Sequence, residues 1–398
     1  MCVLIFSLAL LLIVGFLLSS LFARFQLPGL LGLILTGILL GPYALNLLSP
    51  DLLAISADIR KMALIIILVR AGLTLDLRNL KKNGRPAFLM TFLPATFEIL
   101  AVLFLAPKLL GITFLEAAIL GAVLASVSPA IVGQRMILLI ENGYGKAKGI
   151  PQIILAGVSM DDVYVVVLFT AFMGIYTGSG FQAITLLSMP VSIALGLLGG
   201  LLVGLALISL FQYFHIRDTM KVLLILSACF LLASSEDSFA KYIPFSGLLA
   251  VVAVGATLFR QRPVLSKRLN GKFAKIWAGA EIFLFVLVGA TVDITALGDA
   301  GFAAVLLIFG ALLFRIIAVF LAISGTNLNA KERVFTAFAY TPKAAVQAAI
   351  GSIPLAAGVD AGGIILMVAV LAIILTAPIG ATFIDRSYRK LLTKDAIT

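Results

Sequence analysis

Apolar runs of roughly 18 residues or more recur from one end of this chain to the other, the length a helix needs to cross a hydrocarbon core about 30 Å thick. Of its 398 residues 62% are hydrophobic and only 12% charged, and mean hydropathy is +1.19. A soluble domain carries about 25% charged residues, so too little polar surface is left here to keep the chain dissolved. Two cysteines, Cys2 and Cys229, make neither a disulfide framework nor a thiolate metal site. The single histidine, His215, excludes a His-based metal centre or proton relay and reads as an interfacial residue. No cofactor is expected. Met1 to Ala23 lacks both a positive n-region and a good cleavage site, so it reads as a retained helix rather than a signal peptide.

Breaking the sequence at its charged and Gly/Pro-rich punctuation predicts thirteen spans, near 2–23, 27–46, 57–76, 86–107, 113–140, 150–176, 182–214, 219–235, 243–260, 274–293, 300–325, 331–353 and 361–384. Threaded through them, 21 of the 29 Lys and Arg fall on one side and only Arg60, Lys61, Lys108 and Lys241 on the other. Arg70, Arg135, Arg315 and Lys343 lie within or at the ends of helices. The positive-inside bias then puts the N-terminus outside and the C-terminus in the cytoplasm. The net charge of +11 follows from topology and is not a nucleic-acid footprint. The expectation is an all-α, multi-pass integral membrane protein, and its compact size points to a bacterial inner (plasma) membrane.

Two stretches read alike 217 residues apart. Val69-Arg70-Ala71-Gly72-Leu73-Thr74-Leu75-Asp76 matches Val286-Leu287-Val288-Gly289-Ala290-Thr291-Val292-Asp293, and one helix earlier Pro28 to Gly37 loosely matches Pro244 to Gly255. The predicted topology runs the two copies in opposite directions, so the halves form inverted five-helix repeats, an architecture of secondary transporters with sites near the midplane where broken helices meet. The division expected is 1–26 as an extra N-terminal helix, 27–176 and 243–384 as the repeats, 177–242 as linking helices and 385–398 as a cytoplasmic tail. Ala125-Ser126-Val127-Ser128-Pro129-Ala130 and Ala339-Tyr340-Thr341-Pro342-Lys343-Ala344 hold corresponding places in the halves. Proline removes a donor and clashes with the preceding turn, so Pro129 and Pro342 mark two crossing, interrupted helices.

Charges within spans are costly and mark ion pathways or proton relays. They include Glu98, Asp161, Asp162, Arg315 and Lys343. Neighbours on a helix point about 100° apart, so one of Asp161 and Asp162 can face an ion cavity while the other faces a helix. A buried carboxylate loses its charge to either a proton or a hard cation, and that competition is what an exchanger needs. Asp162, the hydroxyls of Ser126 and Ser128 and carbonyls freed near Pro129 would give Na⁺ the oxygen ligands a hard cation prefers. Arg315 stays charged and needs a carboxylate, Asp161 or Glu98. Lys343 would neutralise the negative helix end left by a break. Asp76, Glu116, Asp293 and Asp299 sit at span ends and are expected to be solvated.

The run Leu68 to Asp76, then Ser126-Val127-Ser128-Pro129-Ala130, then Asp161-Asp162, then Pro342-Lys343-Ala344-Ala345-Val346-Gln347-Ala348-Ala349 resembles the NHA-type sodium/proton antiporters of the cation:proton antiporter superfamily, which share the NhaA fold. The resemblance covers nearly the whole chain. It implies a homodimer with one bundle at the dimer interface and another carrying the crossed helices, and with helix 2–23 as a dimer contact. It implies that Asp162 is the essential ion and proton carrier and Asp161 its neighbour, that Arg315 is the basic residue of the tenth core helix, and that Glu98 is the acidic residue two core helices before the pair. An arginine in place of a releasable lysine at 315 leaves one or two protons per cation open.

The function expected is exchange of Na⁺ or Li⁺ for H⁺ by alternating access, in a membrane lipid setting. A K⁺/H⁺ exchanger or a sodium-coupled symporter of the same fold is the alternative. An intramembrane aspartyl protease needs two carboxylates converging on one water from different helices, which adjacent residues do not supply, so the chain is not expected to be an enzyme.

Overall fold

A computed structural model of the protein describes residues 4–75, 84–178, 183–214, 216–239, 245–293 and 297–394. His215 and Asp76 lie outside these residues, and the side chain of Asp299 is likewise not described. Among the described residues the chain forms helices, joined by one isolated bridge between Tyr144 and Lys394. Helix is the element that lets each backbone group bond within its own segment when no water is near.

Nine stretches among the described residues are long and apolar enough to cross a membrane. In chain order they are α1 (Leu4–Arg24), α5 (Gly84–Leu110), the pair α6 (Phe114–Leu124) and α7 (Pro129–Glu141), α8 (Ile150–Thr177), α9 (Ala183–Tyr213), α10 (Asp218–Phe239), α12 (Pro263–Ala290), α13 (Leu297–Ala322) and α17 (Gly362–Leu391). Four further predicted spans fall short for visible reasons. Helices α2 (Gly29–Leu40) and α11 (Gly247–Gln261) have 12 and 15 residues. Helix α4 (Ser56–Leu73), which follows the short α3 (Pro50–Ala54), has 18 residues but carries Asp58, Arg60, Lys61 and Arg70. The segment expected at 331–353 is cut into α14 (Ala330–Ala339) and α15 (Ala345–Ile350), followed by α16 (Ile353–Ala356).

The span expected at 274–293 starts earlier, at Pro263, because a polar turn precedes the apolar stretch and is helical too. There Arg268 pairs with Asp218 at 3.3 Å and Lys272 donates to Thr219 at 3.2 Å.

Two compact units divide the chain. One comprises Met1–Ala57, Leu77–Val165 and Ile282–Thr398, the other Asp58–Asp76 and Val166–Glu281. Each draws chain from both halves of the expected repeat.

The first unit contains a helix crossing made by glycine. A β-carbon on Gly37 of α2 would overlap the Val286 carbonyl of α12, and one on Gly289 would lie 3.1 Å from the Gly37 Cα. The second unit contains a counterpart, where a β-carbon on Gly72 of α4 would lie 2.9 Å from the Gly255 Cα of α11. Lipid tails are as apolar as leucine, so close backbone approach at small residues supplies helix association. The two contacts exchange under the repeat expected from sequence, in which Gly37 corresponds to Gly255 and Gly72 to Gly289.

In the second unit Arg70 lies over the Trp277 ring at 6.0 Å, and Glu281 bonds to Trp277 and faces Arg70. In the first, Glu116 is not solvated as its place at a span end suggests. One carboxyl oxygen accepts the Thr113 N–H at 2.8 Å and the other the Ala361 N–H at 2.9 Å, which pins the start of α6 to the start of α17. An acidic N3 residue closing a capping box is the physical reason. Asp293 is partly buried.

Candidate ion and proton site

The site lies wholly in the first unit, around two interrupted helices. Helix α6 stops at Leu124 and α7 restarts at Pro129, with the Ser128 hydroxyl capping it by accepting the Ile131 N–H at 3.3 Å. Helix α14 stops at Ala339 and α15 restarts at Ala345. The breaks meet directly, because the Ser128 N–H donates to the Pro342 carbonyl at 2.8 Å. Thr341 folds its hydroxyl back onto the Phe338 carbonyl at 2.8 Å. Gly380 of α17 leaves the room that the Pro342 ring fills.

Each break leaves orphan donors and acceptors, and buried groups of either kind must find partners. The carbonyls at the end of α6 are met by cations. Lys343 donates through Nζ to Leu124 O, and Arg315 through Nη1 to Ala125 O at 2.5 Å. The Gln347 amide donates to Ser126 O at 2.7 Å and accepts the Ala344 N–H at 2.8 Å. The Lys343 N–H is taken by the Thr376 hydroxyl of α17 at 3.0 Å.

Asp161 and Asp162 lie in mid-α8, and both turn towards the first break. Asp161 accepts the Val127 N–H at 2.9 Å and Arg315 Nη2 at 3.1 Å through one oxygen. Its other oxygen is buried with no hydrogen-bond partner among the described residues. Asp162 accepts the Ser126 hydroxyl at 2.5 Å. Glu98, on α5, receives Arg315 Nη1 and, at 2.7 Å, Lys343 Nζ. Arg315 thus serves both carboxylates that the sequence offered it, and donates through Nε to the Tyr340 carbonyl at 2.8 Å. Glu98, Asp161 and Arg315 are fully buried, and Asp162 is 3% exposed.

Of the residues expected from sequence, Ser126 meets Asp162 directly, whereas the Ser128 hydroxyl is engaged as the α7 cap. Gln347, Thr376 and Tyr340 were not expected in the site. Gln347 sits inside the run Pro342 to Ala349, and a buried amide there is a signal to follow. Thr376 is one hydroxyl in an apolar helix and gives none. Tyr340 has a local cause. Pro94 in α5 lacks an N–H, which deprives the Met90 carbonyl of its helical donor, and the Tyr340 hydroxyl supplies one at 2.9 Å, with Gly157 leaving space for it.

Three carboxylates and two cationic side chains are gathered here, so one negative charge is left over when all five are ionised. Asp161 and Glu98 share Arg315 and Lys343. Asp162, with a neutral hydroxyl as its donor, is where the uncompensated charge sits. A proton or one monovalent cation balances it.

Residues 8–386 match the model of a family described as sodium/hydrogen exchanger, transmembrane. The human sodium/hydrogen exchanger 9B2 is 34% identical over 386 residues, covering 92% of this chain and 70% of that protein. The human sodium/hydrogen exchanger 9B1 is 30% identical over 355 residues, covering 85% and 67%. Among solved structures, the sodium proton antiporter MjNhaP1 from Methanocaldococcus jannaschii at pH 8 superposes with a TM-score of 0.80 at 21% identity, over 96% of this chain and 97% of that one.

Proposed function

The chain belongs to the transmembrane sodium/hydrogen exchanger family, a family of multi-pass transporters rather than enzymes, and on that premise we propose that it exchanges Na⁺ or Li⁺ for H⁺ with Asp162 as the shared carrier. The observation that carries the reading is the charge count. One carboxylate beyond what Arg315 and Lys343 compensate is buried beside the Ser126 hydroxyl, and charge that is buried must be paired or neutralised. A monovalent cation and a proton are interchangeable solutions to that requirement.

The cation takes oxygen ligands from Asp162, the orphan oxygen of Asp161 and the Ser126 hydroxyl, with the unwound backbone before Pro129 closing the set while the Ser128 hydroxyl stays on its helix as the cap. Na⁺ from one side displaces the proton of Asp162, the site opens to the other side, and an incoming proton resets it. Alternating access, thirteen spans with the N-terminus outside and the C-terminus inside, the inverted repeats at 27–176 and 243–384, and a homodimer with α1 at its contact belong to the same proposal. So does a bacterial plasma membrane as host. Among the described residues the nine long apolar stretches and the four further segments fit that span count, and the exchanged glycine crossings fit the repeat.

Proteoliposomes carrying a lumenal pH dye and challenged in turn with Na⁺, Li⁺, K⁺ and choline test it. Na⁺ and Li⁺ alone should move protons, and Asp162→Asn should fall to the level of empty vesicles while still inserting and eluting as a folded protein. Normal exchange by that variant would sink the carrier assignment, and a response to K⁺ would move the chain to the potassium exchangers.

A further inference from the structure

The last helix carries a groove that the ion site does not use. On the C-terminal half of α17 an open hollow of about 680 Å³ is lined by Pro378, Ile379, Phe383, Arg386, Ser387 and Lys390, among others. Its order along the helix is apolar first and basic last. Ile379 is 52% exposed, and Arg386 and Lys390, one turn apart on the same face, are both exposed. The Ser387 hydroxyl beneath them is buried with no partner among the described residues.

Neighbouring charges on this turn are engaged elsewhere. Asp385 is held by Arg135 through two bonds of 2.9 and 2.8 Å. Arg389 turns away onto Tyr388, donating to its hydroxyl at 2.9 Å. Arg386 and Lys390 therefore face the groove without the acidic residue of their own turn to neutralise them.

We propose that this groove is a binding site for an anionic phospholipid. An acyl chain lies along Pro378, Ile379 and Phe383, and the phosphate sits between Arg386 and Lys390 above the Ser387 hydroxyl. A membrane-spanning helix presenting apolar surface and then paired cations at its end matches the order of an anionic amphiphile, and basic residues near the interface attract anionic headgroups. A zwitterionic headgroup brings a cation that the two basic side chains repel.

Native mass spectrometry of the full chain, released from detergent with added phosphatidylglycerol or phosphatidylcholine, reads the site. Phosphatidylglycerol should stay bound preferentially. Arg386→Gln with Lys390→Gln should weaken its retention roughly thirtyfold, from the loss of two interfacial cations. Ile379→Trp, which keeps both charges and fills the apolar part, should weaken it as well, and carries the test if the charge variant does not elute as folded protein. Equal loss on removing two exposed cations elsewhere, Arg260→Gln with Lys267→Gln, would overturn the site in favour of general basic attraction. Equal retention of phosphatidylcholine, or binding of glycerol phosphate as tight as that of the whole lipid, would overturn it too.

Discussion

Ala125 to Ala130 and Ala339 to Ala344 interrupt helices at corresponding points of the two sequence halves, and each hands a carbonyl to Arg315, yet the N–H groups they free serve different partners. At the first break an N–H, that of Val127, goes to a carboxylate, and the carbonyls of Leu124 and Ala125 go to cations. At the second the N–H groups of Lys343 and Ala344 go to a neutral hydroxyl and an amide. The second break instead contributes a charge of its own, since Lys343 reaches across to Glu98 and to the end of α6. Unwinding alone does not make an ion site. The proposed ion site falls at the first break because a pair of aspartates lies beside its donors, and Lys343 of the second brings the assembly nearer to neutrality.

That contrast can be broken most severely at the cations. Arg315→Ala strips partners from Glu98, Asp161 and two carbonyls at once, and Lys343→Ala strips them from Glu98 and Leu124. Loss of one partner of a buried pair costs about 3–5 kcal/mol. Thermal unfolding in detergent should show both variants destabilised, Arg315→Ala the more, with stability hit harder than turnover. An Arg315→Ala protein of unchanged melting temperature but altered pH dependence of exchange would make that residue part of the transport cycle instead.

Gln347→Leu sharpens the comparison, because this amide touches both breaks. Leaving the Ser126 carbonyl and the Ala344 N–H unpaired should cost about 1–3 kcal/mol, read by the same unfolding measurement. A variant as stable as the parent would mean that the two breaks are held together by other contacts.

The smallest effects separate the two serines. Ser128→Ala removes a helix cap and should cost about 1 kcal/mol of stability, with the Na⁺ dependence of exchange unchanged. Ser126→Ala removes the donor to Asp162 and should leave stability nearly intact while shifting the half-saturating Na⁺ concentration by roughly tenfold. The reverse pattern would transfer the ligand role from Ser126 to Ser128.

Much of the membrane architecture was readable from the chain, because apolar length is a local property and lipid enforces it residue by residue. The interruptions were readable too, since proline beside hydroxyl residues breaks a helix wherever it stands. Four segments were less plain, for equally local reasons. Helices α2 and α11 are short, α4 carries four charges, and the segment at 331–353 is broken. Glu116 was misread because a span end suggests water, whereas its capping geometry and the neighbouring start of α17 bury it.

The sequence by itself determined that this is a membrane chain, where its helices break and which charges are stranded inside it, because each of those follows from residues near one another along the chain. Only the tertiary structure decided who meets whom. Arg315 stands 217 residues from Glu98 and 154 from Asp161 and bonds to both, Lys343 reaches the end of α6, and the Ser128 hydroxyl turns to its own helix while Ser126 meets Asp162. Burial forces every charge to find a partner, but the choice among partners is made by the packing of distant segments, which no local pattern encodes.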